Sequence, residues 1–213
     1  MEIEDNIDNK YIIITKLGEG AFGKVYLVKE KDTNKKFAVK VLLKENKNFE
    51  NIIKIIQRIS SLKTEYIIKM INSGKGPVYK EGEYKGNYQY IVYEYASKGA
   101  LIEYIIKANE VPLEEKYAKI LFKKILKGVQ EMHNNKICHT DIKLNNIVLD
   151  ENFNPKLCDF GYVHSVDKKK KLTKAFGTRG YCAPEAFRKR YDGIKADIFS
   201  LGVSLLRIVT GKK

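Results

Sequence analysis

His139-Thr140-Asp141-Ile142-Lys143-Leu144-Asn145-Asn146 runs into the short apolar stretch Ile147-Val148-Leu149, and Lys156-Leu157-Cys158-Asp159-Phe160-Gly161 follows closely. Between them Asp150-Glu151-Asn152-Phe153-Asn154-Pro155 is rich in turn formers, so the two stretches read as a hairpin. In an antiparallel hairpin the flank before the first strand lies beside the flank after the second. Asn146 and Asp159 are therefore expected together at one end. Two hard oxygen donors there suit Mg²⁺, which keeps several waters and takes phosphate oxygens to complete its shell. Asp141, five residues before Asn146, is placed to take a proton from a hydroxyl nucleophile near that metal. Lys143 can set a positive charge beside a phosphoryl group in transfer.

These residues resemble the catalytic loop and metal loop of eukaryotic protein kinases. Asp-x-Lys-x-x-Asn followed by Asp-Phe-Gly carries the likeness, while the family's His-Arg-Asp is His139-Thr140-Asp141 here. The resemblance implies a two-lobed α+β fold, with a β-rich lobe over residues 1–95, a helical lobe over 96–213 and ATP between them. It implies Asp141 and Lys143 as catalytic groups and Asn146 and Asp159 as ligands of Mg²⁺. The family's arginine charge is commonly satisfied by an activation-loop phosphate. Thr140 in its place predicts activity that does not depend on that switch.

Working back toward the N-terminus, Tyr11-Ile12-Ile13-Ile14-Thr15-Lys16-Leu17 has strand composition, and Gly18-Glu19-Gly20-Ala21-Phe22-Gly23-Lys24-Val25 follows. A dinucleotide-binding fold needs a helix after such glycines. Lys24-Val25-Tyr26-Leu27-Val28-Lys29 alternates like a strand instead. A P-loop needs Ser or Thr after the lysine, where Val25 stands. An ordinary glycine hairpin remains, or, as the resemblance implies, a loop that lays Gly18, Gly20 and Gly23 over nucleotide phosphates. Lys36 to Leu43 is a third strand whose apolar face Lys40 interrupts, and Lys40 matches the family's phosphate-pairing lysine. Tyr66–Ile71 and Tyr88–Ala96 have strand character, with Ser73–Asn87 an exposed hairpin loop between them. The resemblance makes Tyr93 the gatekeeper and Glu94-Tyr95-Ala96 the adenine-binding hinge, with Val25, Ala38 and Val148 bordering the nucleotide.

Asn48 to Leu62 is expected to be a helix with an apolar stripe at Ile52, Ile55, Ile56, Ile59 and Leu62. Family-like spacing puts Ile52, or Ile55, where a glutamate partner for Lys40 is expected. Glu50 lies about 200° around a regular helix from Ile52 and faces away. Either the helix begins irregularly and Glu50 swings in, or the ion pair is absent, which is the expectation here.

Toward the C-terminus, Leu101–Ala108 is a short helix and Pro112 stands near the start of the next. Glu114–Asn134 carries Tyr117, Ile120, Leu121, Ile125, Leu126, Val129, Met132 and His133 at helical spacing. His133 and His139 are assigned to packing. Ser165 and Thr173 are candidate phosphosites. Gly177-Thr178-Arg179-Gly180-Tyr181-Cys182-Ala183-Pro184-Glu185 resembles the family's peptide-docking strip, and Thr178 with Lys143 points to Ser or Thr as acceptor. The Lys168–Lys171 run would favour acidic or phosphorylated substrates. Asp197 would brace the catalytic loop from beneath. The helix from Ala196 to Val209 is apolar nearly all round and expects burial. A family chain would continue past Thr210-Gly211, so the last helices and an arginine partner for Glu185 are expected to be missing, leaving one flank of that helix bare.

The 213 residues carry a formal net charge of +14, but the lysines are dispersed among Asn and Ile. That pattern is a solvated surface more than a built patch, which makes nucleic acid the less favoured partner. Cys138, Cys158 and Cys182 show no metal-ligand spacing, as expected of free thiols in a reducing, cytoplasmic compartment. No secretory segment opens the chain. The longest apolar run, Ile198–Val209, is broken by Gly202 and Arg207 and is too short to span a bilayer. The expectation is a monomeric Ser/Thr protein kinase domain using ATP and Mg²⁺ on a protein substrate, akin to the calcium/calmodulin-dependent or AMP-activated groups. The alternatives are a pseudokinase that binds nucleotide or a partner without catalysis, and a basic nucleic-acid-binding module.

Overall fold

Short runs rich in β-branched and aromatic residues, such as Tyr11–Ile14, Val25–Val28 and Tyr90–Tyr93, mark the N-terminal half, and this composition favours sheet. The computed structural model describes residues 4–107, 111–166, 171–188 and 190–212. They divide into two units: residues up to Gln57 with Lys69–Tyr95, and Arg58–Ile68 with Ala96 onward.

The first unit holds β1 (Asn6–Ile7), β2 (Tyr11–Gly20), β3 (Gly23–Glu30), β4 (Lys36–Leu42), most of helix α1 (Phe49–Ser60), β5 (Met70–Lys80) and β6 (Glu83–Glu94). The strands are antiparallel in the order β1-β2-β3-β4-β6-β5, and β1 pairs with β5 as well as β2, which closes the sheet on itself. Its interior is filled by Ile7, Tyr11, Tyr26, Val28, Val39, Val41, Val78, Tyr90 and Val92. Pairs two apart, such as Val39 with Val41 and Tyr90 with Val92, point to the same side.

Three expectations change here. Ser73–Asn87 is not a loop: β5 and β6 run through it and turn only at Glu81-Gly82, both with positive φ, as a tight two-residue hairpin requires. Its Gly, Lys and Tyr side chains look loop-like because much of this ribbon faces solvent. The strand expected over Tyr66–Ile71 begins only at Met70. On α1 the buried line is Ile53, Ile56 and Ile59, with Ile52 and Ile55 half-buried.

The second unit takes in Arg58–Ile68, so the first unit is not the continuous span 1–95. The reason is hydrogen bonding. The Leu157 amide donates to Tyr66 O and the Ile68 amide to Leu157 O, both at 2.9 Å. The Arg58 guanidinium donates to Asn135 O at 3.3 Å and Ser165 Oγ at 3.2 Å. This unit contains β7 (Gly99–Ala100), α2 (Leu101–Lys107), α3 (Glu115–Asn134), β8 (Ile137–Cys138), β9 (Ile147–Leu149), β10 (Pro155–Leu157), β11 (His164–Ser165) and α4 (Gly193–Thr210). The strands form a small sheet β10-β9-β7 and a pair β11-β8. Pro112 precedes α3 by several residues, and Glu114 is that helix's N-cap position.

Helix α3 buries Ala118, Ile125, Gly128, Val129 and Met132. Tyr117, Ile120 and Leu126, counted in the expected stripe, face solvent instead. The buried line follows the small residues, because α3 packs tightly: a Cβ on Gly128 would stand 2.8 Å from Tyr66 O. Helix α4 buries Ala196, Asp197, Ser200, Leu201, Ser204 and Ile208, while Ile198, Phe199, Leu206 and Val209 are exposed. Among the described residues no helix is long and apolar enough to cross a membrane. Ala108 and Lys168–Lys170 lie outside the described residues.

Candidate active site

The expected β9-β10 hairpin forms, but its second strand begins one residue before the run Lys156–Cys158: Ile147 stands opposite Leu157 and Leu149 opposite Pro155. One more bond continues it, from the Cys158 amide to Asn146 O at 2.9 Å. Asn146 and Asp159 thus flank the same open end. Asp159 adopts a left-handed conformation (φ 61°), and its carboxylate accepts from the Gly161 amide at 3.3 Å, fixing the turn Phe160–Tyr162.

The loop before β9 is wound around a buried anion. Asp197 accepts the His139 amide at 2.8 Å and the Thr140 amide at 2.7 Å. The His139 ring takes the Asp141 amide on Nδ1 (3.3 Å), so Nε2 carries the proton donated to Cys158 O (2.9 Å). Thr140 has φ 63°, uncommon for a β-branched residue. Its hydroxyl, where the family has an arginine, donates to Tyr162 O at 2.6 Å. His133 does more than pack, because its Nε2 lies 2.8 Å from Asp197 Oδ2.

This frame presents Asp141, which is 5% exposed. Its Oδ1 accepts the Thr178 hydroxyl at 2.7 Å. Its Oδ2 lies 2.9 Å from Lys143 Nζ and accepts Asn146 Nδ2 at 3.0 Å. Lys143 Nζ also donates to Thr178 Oγ1 at 2.7 Å. An ionised carboxylate, an ammonium and a hydroxyl are therefore locked together. Thr178 belongs to this cluster, whereas its sequence context marked it only as an indicator of the acceptor. The bond spans 37 residues, and no local pattern announces it.

The donor set fits Mg²⁺. Both Nδ2 hydrogens of Asn146 go to Asp141, to its backbone O at 2.9 Å and its carboxylate at 3.0 Å. With both hydrogens used this way, the amide oxygen is left as a hard donor at the hairpin end that Asp159 also flanks. Among the described residues no group of three or more His, Cys, Asp and Glu could hold a metal. The pair therefore suits an ion that takes much of its shell from water and phosphate. Burial pushes the Cys182 thiol up, as do the charges of Asp141 and Glu185, so it stays protonated at neutral pH.

In the first unit, the register sets Val25 opposite Lys40, with Ala38 two residues along. These three share the sheet face opposite Val39 and Val41. Lys40 is 8% exposed, and its Nζ lies 5.5 Å from the Phe22 ring centroid. Glu50 is exposed on the first turn of α1, and among the described residues no ion pair includes it. Strand β3 follows the glycines directly, which removes the dinucleotide-fold reading. A Cβ at Gly18 or Gly20 would meet nothing within 4 Å, whereas one at Gly23 would stand 2.3 Å from Val41 O. Close strand approach alone therefore explains Gly23. The Glu94 carboxylate accepts the Lys69 amide at 2.8 Å. In the second unit Ala96 is buried, and half-buried Val148 pairs with Lys156 and Ala100.

The protein kinase domain model matches residues 11–213. Serine/threonine-protein kinase SAPK2 of Oryza sativa subsp. indica is 36% identical over 205 residues, covering 95% of this chain and 57% of the relative. Serine/threonine-protein kinase SRK2G of Arabidopsis thaliana is 36% identical over 206 residues, covering 95% of this chain and 55% of the relative. The chain thus spans little more than half the length of these curated relatives. With that match over nearly all its residues, the chain belongs to the protein kinase domain family.

Proposed function

We propose that this chain is a two-lobed Ser/Thr protein kinase domain that transfers the γ-phosphoryl group of ATP to a protein hydroxyl. The observation that carries the reading is the Asp141–Lys143–Thr178 cluster, with Asn146 bonded to Asp141 at one end of the β9-β10 hairpin. Asp141 orients the acceptor hydroxyl and takes its proton as the new O–P bond forms and the bond to ADP breaks. Lys143 sets positive charge beside the transferring group. Asn146 and Asp159 hold Mg²⁺, which when bound neutralises charge on the phosphates. Gly18, Gly20 and Gly23 cover the phosphates through their backbone, and Lys40 binds them. Val25, Ala38, Glu94, Ala96 and Val148 border the nucleotide. Catalysis of this kind rests on positioning and charge stabilisation.

One observation favours a second reading, nucleotide binding without transfer: Glu50 is solvent-exposed and isoleucines occupy the inner line of α1. The test is phosphate transfer from ATP·Mg²⁺ to a generic Ser/Thr protein substrate, by the wild-type chain and by Asp141→Asn. Transfer that Asp141→Asn abolishes is the expected result. Nucleotide binding by a folded wild-type chain with no transfer would favour the second reading.

A further inference from the structure

Thr178 opens the strip that runs to Glu185, and its hydroxyl touches Asp141. Two residues on, a side chain from α4 reaches the same strip. The Arg207 guanidinium carbon lies 4.3 Å from the centroid of the Tyr181 ring. Its Nη2 is 3.3 Å from where a Cβ on Gly180 would be. Gly180 has φ +88°, so backbone strain calls for glycine there, while the one atom close to a Cβ is the movable end of Arg207. Arg207 is half-buried, and among the described residues no carboxylate pairs with it.

Stacking on an aromatic ring fixes a guanidinium in place and leaves its charge intact. Its planar donors then suit an external carboxylate or phosphate, which they grip in a two-point geometry. The surrounding sequence has the same sign. Between Lys171 and Arg190 the sole carboxylate is Glu185, against Lys171, Lys174, Arg179, Arg188, Lys189 and Arg190.

We infer that Arg207 is a specificity determinant that selects protein substrates with an acidic or phosphorylated side chain close to the acceptor hydroxyl. The inference rests on the kinase reading above. An extended peptide advances about 3.3 Å per residue. With the hydroxyl at Asp141, an anion that reaches Gly180 and Tyr181 belongs within about three residues of it. Carboxylate and phosphate share the recognising chemistry, and the experiment separates them.

The wild-type chain, Arg207→Gln and Arg207→Glu are given ATP·Mg²⁺ and peptides with one serine in a neutral background. Asp, phosphoserine or Lys is placed in turn at each of three positions on either side. Wild type is expected to favour Asp or phosphoserine over Lys by about tenfold in kcat/KM at one position or more. The better of the two identifies the natural anion. Arg207→Gln flattens the ranking, and Arg207→Glu turns it toward Lys. Thermal melts confirm that each variant is folded, and Arg207→Lys, which keeps the charge but not the two-point grip, keeps the direction of the ranking with a smaller ratio. Transfer to all peptides without ranking, or a ranking unchanged in Arg207→Gln, overturns the inference and leaves the kinase reading standing. No transfer to any peptide by folded wild type sinks both.

Discussion

The carboxylate of Asp197, fully buried, accepts the backbone amide of His139 at 2.8 Å. It also holds the next amide, Thr140, at 2.7 Å, and His133 Nε2 shares its Oδ2 at 2.8 Å. A buried charge persists only when such donors replace its water. The anion therefore fixes two successive amides of the loop, including the one at Thr140 with positive φ. Asp197→Asn would set an N–H group against one of these donors. The expected cost is about 3 kcal/mol, read as a lower urea midpoint, with transfer lost in parallel. A variant with the wild-type midpoint would show that the loop is held by other contacts.

Thr178 donates to Asp141 and accepts from Lys143. A hydroxyl bonded to charged groups on both sides is worth about 1.5–3 kcal/mol, or roughly ten- to hundredfold in rate if its whole effect falls on the transition state. Thr178→Val keeps shape and loses the hydroxyl, so kcat should fall by about that factor with the melting temperature little changed. Thr178→Ser should retain most activity. Full activity in Thr178→Val beside a loss in Thr178→Ser would mean that the methyl group, and not the hydroxyl, matters.

The β9-β10 hairpin was legible because its signals are local, two apolar runs around a turn-rich spacer, although the second strand starts one residue earlier than those runs suggest. The same holds for the strand alternation that sends Lys40 to the face opposite Val39 and Val41. What the sequence hid was long-range or compensatory. The side of α3 that is buried depends on Gly128 packing against Tyr66 O, and Tyr66 lies far back in the chain. Arg207 was read only as a break in the longest apolar run, Ile198–Val209. Its meaning appears when α4 brings it over Tyr181. Polar, glycine-rich β5 and β6 carried weak strand signals because their pairing is satisfied by backbone bonds more than by buried side chains.

Two glycines give opposite predictions. Gly177 has φ +106°, and a Cβ there would lie 2.8 Å from Thr140 O. Gly177→Ala adds backbone strain to a clash with the catalytic loop, and about 2–3 kcal/mol of stability should be lost. Gly202 lies in α4, is exposed, and a Cβ would meet nothing within 4 Å. Gly202→Ala should raise stability by about 0.5–1 kcal/mol through helix propensity and a less disordered unfolded chain. Differential scanning calorimetry on both variants checks the signs, and a destabilised Gly202→Ala would contradict the open space seen beside α4.

The Tyr181 hydroxyl is buried and has no hydrogen-bond partner among the described residues. Removing it takes away a desolvated polar group and spares the ring under Arg207. Tyr181→Phe should therefore be neutral or stabilising by up to about 1 kcal/mol, with peptide ranking unchanged. A clear drop in melting temperature would reveal a partner for this hydroxyl in solution.

Asp192 caps α4, its carboxylate accepting the Ile194 amide at 3.0 Å and the Lys195 amide at 3.3 Å, with Lys171 Nζ 3.0 Å away. Burial pushes this carboxyl up, but the bonds from Lys171 and the two amides outweigh it and hold it below the ordinary carboxylate range. A lowered folded pKa gives stability that is present above the unfolded value, near about 3.9, and lost as pH falls through the folded one. Asp192→Ala removes the cap and should cost about 1 kcal/mol at pH 7. Asp192→Asn keeps a capping oxygen without the titration. Its deficit against wild type should be visible at pH 7 and shrink as the pH is lowered below about 4. Urea midpoints for the three proteins at pH 7 and pH 3 decide it. A wild-type advantage over Asp192→Asn that grows on acidification would mean that the carboxylate is not stabilised in the folded state.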